Sequence, residues 1–246
     1  VFEGYPIPAS GTSSVYGIGG DDLTTFMERL LEARFPAWSS ARHLGGGSDP
    51  ATAHGIARRV KEETAFASED FARDMEAAVA NEKTFECEFL LKLSTVQPSN
   101  QSSAAANGGK SGRSEQMSNN VTNVLSIGSE RFRCVEPLFQ PALVGKSFAG
   151  SGSAGVAEHV LRAVEDEDDE IQRDLLGFVV LAGATIRIPG LVARFTQELQ
   201  DLNIKRHNSL RMAGSRTTDP KKLKVVAAPD PENTAWRGAS RMASED

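Results

Sequence analysis

The sequence predicts an α/β protein, because short apolar runs alternate with segments whose apolar residues have helical spacing. Residues 177–182, GFVVLA, form a continuous apolar run short enough for a strand buried on both faces. Gly183 ends this run, and Leu191 and Phe195 begin a helical pattern soon after it. Residues 223–228 form a second apolar run. Strand, glycine turn, helix and strand therefore follow one another as in an α/β unit.

Composition and charge narrow the class of protein. With 39% hydrophobic and 24% charged residues, the 246-residue chain is ordinary for a globular protein with one large core or two smaller ones. The 27 basic and 33 acidic residues give a net charge of −6, which argues against a protein that coats nucleic acid. Cys87 and Cys134 are expected to be free thiols in a reducing compartment. We expect no membrane span, since no apolar run approaches about 18 residues. We also expect no signal peptide, since the first residues do not show its pattern.

The order of elements follows from periodicity. Asp21 or Asp22 can cap a first helix, which Pro36 ends. The first half then predicts a loop over 39–53, one or two helices over 56–75, a half-buried strand over 84–95, a disordered insertion over 97–120 and a strand over 121–127. The second half predicts a helix over 153–165, a solvated acidic segment over 165–170, a short helix around 171–175, a helix with Pro189 in its first turn and a polar loop over 205–220.

Two segments carry residues that could bind a ligand. A buried strand that ends at Gly183 and opens a helix presents backbone N–H groups and a positive dipole end, which favour a phosphate or the polar edge of a nucleotide. The same glycine could instead serve packing alone. Arg58 shares a helical face with Lys61 and Glu62, either as an exposed ion-pair cluster or as part of a site.

Two other possible motifs are excluded. Residues 107–111 lack the strand and helix that flank a phosphate loop, and the four histidines show no metal-ligand spacing.

Six sequence runs share a further property, which is their order along the chain. They are FEGYPIP at 2–8, GGDDLT at 19–24, ARRVKEE at 57–63, IGSERFRCVEPLFQPALVG at 127–145, VLAGATIRIPGL at 180–191 and, more weakly, KLKVVAAPDPENTAW at 222–236. Together these runs resemble the second half of actins and actin-related proteins. In that family the fourth run is a strand end, Arg-Phe-Arg-Cys, that leads into a Glu-x-Leu-Phe-Gln-Pro turn.

The resemblance implies an adenosine pocket. The family's Gly-Gly-Thr loop falls on Gly183, Ala184 and Thr185, where Ala184 adds a methyl group at a close approach of backbone to ligand. Ile188 stands where the family has an aromatic residue beside adenine.

Two further segments complete this implied pocket. Lys61 and Glu62 match a pair that approaches adenine and ribose, and Gly20 matches a glycine that closes the pocket. A family lysine is absent, and Glu232 or Asn233 falls in its place. The candidate nucleotide-binding residues are Gly20, Arg58, Lys61, Glu62, Gly183, Ala184, Thr185 and Ile188.

The implied architecture is an actin-like ATPase fold of ribonuclease-H type. We expect a mixed-sheet subdomain 3 from residues 1–18 and 147–237, a smaller α+β subdomain 4 inserted at 19–146, and the start of a truncated segment at 238–246. The implied cofactor is ATP or ADP with Mg²⁺. The two phosphate-binding hairpins would precede Val1, so this chain alone is not expected to hydrolyse ATP.

The resemblance also implies partners. Leu143, Val144 and Lys146 fall in the family's filament-contact loop. The expected partners are actin-like subunits or an actin-related multiprotein complex, without direct nucleic-acid or membrane contact. The expected place is the cytoplasm and cytoskeleton, or the nucleus for a chromatin-type relative. Two alternatives stay open, a degenerate scaffold without nucleotide and an enzyme of the wider superfamily, such as a sugar kinase or chaperone ATPase.

Overall fold

A computed structural model describes residues 17–35, 52–93, 121–145, 155–165, 167–213 and 223–244. The helices are α1 (Gly20–Arg34), α2 (Ala53–Thr64), α3 (Phe71–Ala80), α4 (Glu130–Arg133), α5 (Val156–Arg162), α6 (Asp169–Leu176), α7 (Leu191–Met212) and α8 (Thr234–Met242). The strands are β1 (Cys87–Leu93), β2 (Val121–Ile127), β3 (Val179–Leu181) and β4 (Val225–Ala227). The sequence predictions for 1–16, 39–51, 97–120, Lys146 and 214–220 lie outside the described residues.

Helices α1 and α2 pack on each other and form one side of the core. Leu23, Met27 and Leu31 of α1 are buried with Ile56 and Val60 of α2. Their three- and four-residue spacing is the predicted helical pattern. At the start of α1 the carboxylate Oδ2 of Asp22 accepts the Gly19 N–H at 2.9 Å, so Asp22 rather than Asp21 caps the first turn.

Strands β1 and β2 form an antiparallel pair, in the register Cys87 opposite Ile127 to Leu93 opposite Val121. Phe89 is buried on the inner face, and Leu90 is exposed on the outer one. This alternation confirms the predicted half-buried strand. The strand starts later than predicted, because Glu82–Phe85 forms a 3₁₀ turn.

Strands β3 and β4 are parallel, with Val179 opposite Val225. The prediction that residues 177–182 are buried on both faces is wrong. Val179 and Leu181 pack against the core, but Phe178 and Val180 are 58% and 51% exposed. The side chains of a strand alternate between its faces, and within the described residues only one face of β3 is covered.

Three other predicted elements differ from the structure. Helix α7 continues to Met212, although residues 205–220 were predicted as a loop. Arg and Lys favour helices, and an exposed helical extension needs no apolar stripe. Gly190, not Pro189, directly precedes α7. The family's Arg-Phe-Arg-Cys strand end is here a helical turn, α4.

Among the described residues, the loop before α7 and the start of α7 contact the segment that follows α2 and the turns that follow β2. The Ala67 N–H donates to the Pro189 carbonyl at 2.8 Å. Arg194 of α7 donates through Nη1 to the Ser68 carbonyl at 2.7 Å, and its Nη2 lies 3.5 Å from Glu136 Oε1. Because these contacts fix the loop before α7 against the end of α2, they also position the candidate site. The division into subdomains at residues 18/19 and 146/147 stays a prediction.

The pKa of Glu198, a neighbour of Arg194 on α7, leads to a stability prediction. Burial raises the pKa of Glu198 above 4.5, and Asp201 adds to this, while Arg194 and Lys205 lower it. Glu136, the second carboxyl at Arg194, likewise has a pKa raised by burial. A raised folded pKa contributes stability below the unfolded pKa, and this contribution is lost as the pH rises through the folded value.

Glu198→Gln, which keeps the shape without the charge, is therefore expected to raise the free energy of unfolding near pH 7. It should change it little near pH 4, where the wild-type carboxyl is largely protonated. Urea unfolding at the two pH values measures this. A lower stability of the variant at neutral pH would mean that attraction to Arg194 outweighs burial.

Candidate functional site

The described residues enclose a cleft of about 540 Å³ between α1, α2 and the loop that precedes α7. Its lining comes from four segments that are far apart in the sequence. It consists of Gly20, Asp21, Arg58, Lys61, Glu62, Ala65, Ala184, Thr185, Arg187, Ile188, Pro189 and Glu232. This volume lies within the range of about 300–1,000 Å³ typical of small-molecule sites.

One wall is built around the ammonium group of Lys61. Its Nζ donates to the Gly20 carbonyl at 2.6 Å and to Thr24 Oγ1 at 2.8 Å, which ties α2 to the first turn of α1. The Thr24 hydroxyl in turn donates to the Gly20 carbonyl at 2.9 Å. No carboxylate within the described residues forms an ion pair with Lys61. Lys61 therefore shapes the cleft wall chiefly by holding Gly20 in place.

Burial is the largest influence on the pKa values of Lys61 and of the nearby Cys134. Desolvation lowers the pKa of Lys61, with Glu62 acting in the opposite direction. Burial raises the pKa of the neighbouring Cys134 thiol to about 12, although the Lys61 charge lowers it. Neither Cys134 nor Cys87 is in a disulfide. The buried thiol stays protonated near neutral pH and is not a nucleophile.

The other wall is the loop from Gly183 to Gly190. Gly183 has φ +104°, a backbone conformation that favours glycine, and its N–H donates to the Pro231 carbonyl at 2.7 Å. The N–H groups of Ala184 and Thr185 have no hydrogen-bond partner among the described residues. The sequence prediction of open N–H groups at this turn therefore holds for Ala184 and Thr185 but not for Gly183.

The two walls meet at Gly20. A methyl group added there would lie 3.3 Å from Thr185 Oγ1 and 3.7 Å from Lys61 Nζ. A glycine at this position lets the loop approach the start of α1 closely. Seven of the predicted residues, all except Gly183, thus line a single cleft; Gly183 instead shapes the loop through Pro231.

Charged side chains of alternating sign surround the cleft. Arg58 lies 3.9 Å from Asp21 on one side and 3.9 Å from Glu62 on the other. Arg187 forms an ion pair with Glu232. The hydrogen bond and charge of Glu232 raise the pKa of Arg187, and the charges of Asp230 and Glu62 add smaller effects. The lining thus contains both hydrogen-bond donors and acceptors, with equal numbers of acidic and basic side chains.

Sequence reasoning missed five of the lining residues as site residues. Arg187 and Pro189 lie inside the run at 180–191, but helical or strand spacing carries no signal for which of its side chains face a ligand. For Glu232 the resemblance implies only that it stands, with Asn233 as the alternative, in the place of an absent lysine. No local pattern links it to Arg187, which is 45 residues away. The missed residues are Asp21, Ala65, Arg187, Pro189 and Glu232.

The predicted contact loop is partly described. Leu143 is exposed, whereas Val144 is half-buried and packs against the core, so only Leu143 of these two offers an accessible apolar side chain. Within the described part of the chain, no group of three His, Cys, Asp or Glu side chains is placed to hold a metal ion. None of the described helices is both long and apolar enough to cross a membrane.

Comparison with known protein families identifies the family of this chain. The sequence model of the family described as Actin matches residues 1–246. The match covers the full sequence, including both the helical part that holds Lys61 and the loop that holds Thr185.

Proposed function

The chain belongs to the actin family, and on this premise we propose that its cleft binds a nucleotide and that the protein acts in actin-like assembly. One observation carries the proposal. Residues from three distant segments, around Gly20, Lys61 and Thr185, line a single cleft. These are the segments whose sequences match the adenosine pocket of the family.

The residues present fit the nucleoside end of such a ligand. The Ala184 and Thr185 N–H groups are open donors, and Ile188 supplies an apolar surface for a base. The Glu62 carboxylate, which is acceptor-only when ionised, can accept hydrogen bonds from ribose hydroxyls. Mg²⁺, when bound with the phosphates, would neutralise their charge. The described residues offer no complete ligand set for that ion, so their proposed role is to bind and orient the base and ribose.

We place the protein in a filament or in an actin-related multiprotein complex, in the cytoplasm, the cytoskeleton or the nucleus. The exposed Leu143 is the described residue proposed to contact a partner subunit. No direct contact with nucleic acid or membrane forms part of the proposal.

Glu62→Ala tests the nucleotide site. We expect it to weaken binding of ATP or ADP about tenfold or more, because a charge-assisted hydrogen bond is worth about 1.5–3 kcal/mol. Isothermal titration calorimetry on the purified protein measures the change in Kd.

The next residue on the same helix provides the control. The Glu63 side chain is 58% exposed, close to the 61% of Glu62, but it pairs with Arg59 and does not line the cleft. Glu63→Ala should leave the affinity unchanged. Equal losses in both variants would show that the loss does not come from contact between Glu62 and the nucleotide, because removing a negative charge alone should favour an anionic ligand.

A second candidate function is a scaffold that no longer binds nucleotide. It is favoured by the Ala184 methyl group and by Ile188, both of which line the cleft where the resemblance implies glycine and an aromatic ring. A nucleotide affinity in the micromolar range, about −8 kcal/mol, would exclude it. Absence of binding together with intact complex assembly would favour it.

A further inference from the structure

The ion pair between Arg187 and Glu232 lies in the cleft but has no role in the function proposed above. Arg187 belongs to the loop before α7, and Glu232 belongs to the turn before α8. Their side chains are 67% and 43% exposed, and both line the cleft. A ligand in the cleft can therefore reach both groups without any change in the fold.

One oxygen of the Glu232 carboxylate is held by Arg187, and the other is open. Arg187 Nη1 donates to Oε1 of Glu232, which orients the carboxylate. Oε2 of Glu232 makes no hydrogen bond among the described residues. An ionised carboxylate only accepts hydrogen bonds, and a guanidinium only donates them. This end of the cleft thus offers two acceptor oxygens beside a donor group.

The Lys61 ammonium does not contact the Arg187–Glu232 pair, so it leaves the acceptor oxygens of Glu232 and the donor group of Arg187 as they are. Its Nζ is directed to the Gly20 carbonyl and to Thr24 Oγ1. Among the cationic residues that line the cleft, Arg58 is held between Asp21 and Glu62. Arg187 is therefore the cation adjacent to Glu232, and a base seated at this end meets a donor and an acceptor side by side.

The two purines differ at the edge that would meet this pair. Guanine carries adjacent donors, N1–H and the N2 amino group, and the acceptor O6 next to them. Adenine has the unprotonated N1 beside its amino group, so its lone pair would face a carboxylate oxygen. A carboxylate can pair with both guanine donors at once, while a guanidinium donates to O6.

We propose that Glu232, oriented by Arg187, selects guanine over adenine nucleotides in this cleft. The proposal rests on the nucleotide-binding function given above. A well-placed pair of hydrogen bonds to a base discriminates roughly tenfold or more against the wrong base. We therefore expect GTP or GDP to bind at least about tenfold more tightly than the adenine nucleotide with the same number of phosphates.

The test compares GTP with ATP on the purified protein by calorimetry at one salt concentration. Glu232→Lys replaces an acceptor by a donor and should abolish or reverse the preference for GTP. Both ligands carry the same phosphate charge, so the ratio of their Kd values is insensitive to the added positive charge. Glu63→Lys makes the same charge change on α2 outside the cleft and should keep the wild-type ratio. Glu232→Gln, a smaller change on an exposed turn, should reduce the ratio and guards against loss of folding.

The outcomes separate the two proposals. Equal or tighter binding of ATP, or a ratio that Glu232→Lys and Glu232→Gln leave unchanged, would overturn guanine selection while nucleotide binding stands. Failure of both nucleotides to bind the wild-type protein would overturn both proposals.

Discussion

Replacing Gly190 by alanine is expected to lower the free energy of unfolding by about 2–5 kcal/mol. Gly190 has φ +80°, a left-handed conformation that costs other residues about 1–2 kcal/mol. A methyl group there would lie 2.6 Å from the Ala67 carbonyl oxygen. Backbone must move to relieve this contact, and the Ala67–Pro189 hydrogen bond lies at the same place. Urea unfolding followed by circular dichroism gives the change.

Gly238→Ala is the matched control. Gly238 lies inside α8, where an added methyl group has no atom within 4 Å. Alanine in place of an exposed helical glycine should stabilise by about 0.5–1 kcal/mol. Unfolding midpoints that shift in the same direction in the two variants would contradict the proposed close approach at Gly190.

Arg194→Met is expected to destabilise the protein by about 3–5 kcal/mol, because it leaves a buried carboxylate without its partner. Glu136 has a side chain only 3% exposed, and Arg194 Nη2 lies 3.5 Å from it. Arg194 also stacks on Phe139, with 4.8 Å from its guanidinium carbon to the ring centroid, and bonds the Ser68 carbonyl. The free energy of unfolding in urea measures the loss.

Two variants separate a lost ion pair from lost bulk. Arg73→Met, at a side chain 70% exposed, should change stability by about 0.5 kcal/mol or less. The double variant Glu136→Gln with Arg194→Met removes the unpaired charge and should recover part of the loss. If the double variant is no more stable than Arg194→Met, the uncompensated charge of Glu136 is not the cause, and the other ion-pair partner of Arg194, Glu198 at 3.5 Å, is the remaining carboxylate to replace.

Local pattern was a sound guide to elements with a buried face. The spacing of Leu23, Met27 and Leu31 predicted α1, and the alternation around Phe89 predicted β1. The same reasoning failed at α7 beyond Lys205. An exposed helical extension buries little, so it leaves no hydrophobic period in the sequence.

In the candidate site, too, some residues were predictable from local sequence and others were not. Recognisable runs around Gly20, Lys61 and Thr185 were sufficient to predict that these residues share a cleft. Arg187 and Glu232 form an ion pair although they are 45 residues apart in the sequence. No local sequence pattern around either residue predicts this pairing.

The sequence by itself determined the family, the buried faces of α1 and β1, and three of the four segments that line the cleft, because apolar period and residue order are local properties. Only the tertiary structure decided that the Lys61 ammonium is directed to Gly20 and Thr24 and that Glu232 pairs with Arg187 in the lining of the cleft. The direction of a charged side chain depends on which distant partner packing brings within hydrogen-bond reach, and residue order does not encode this locally.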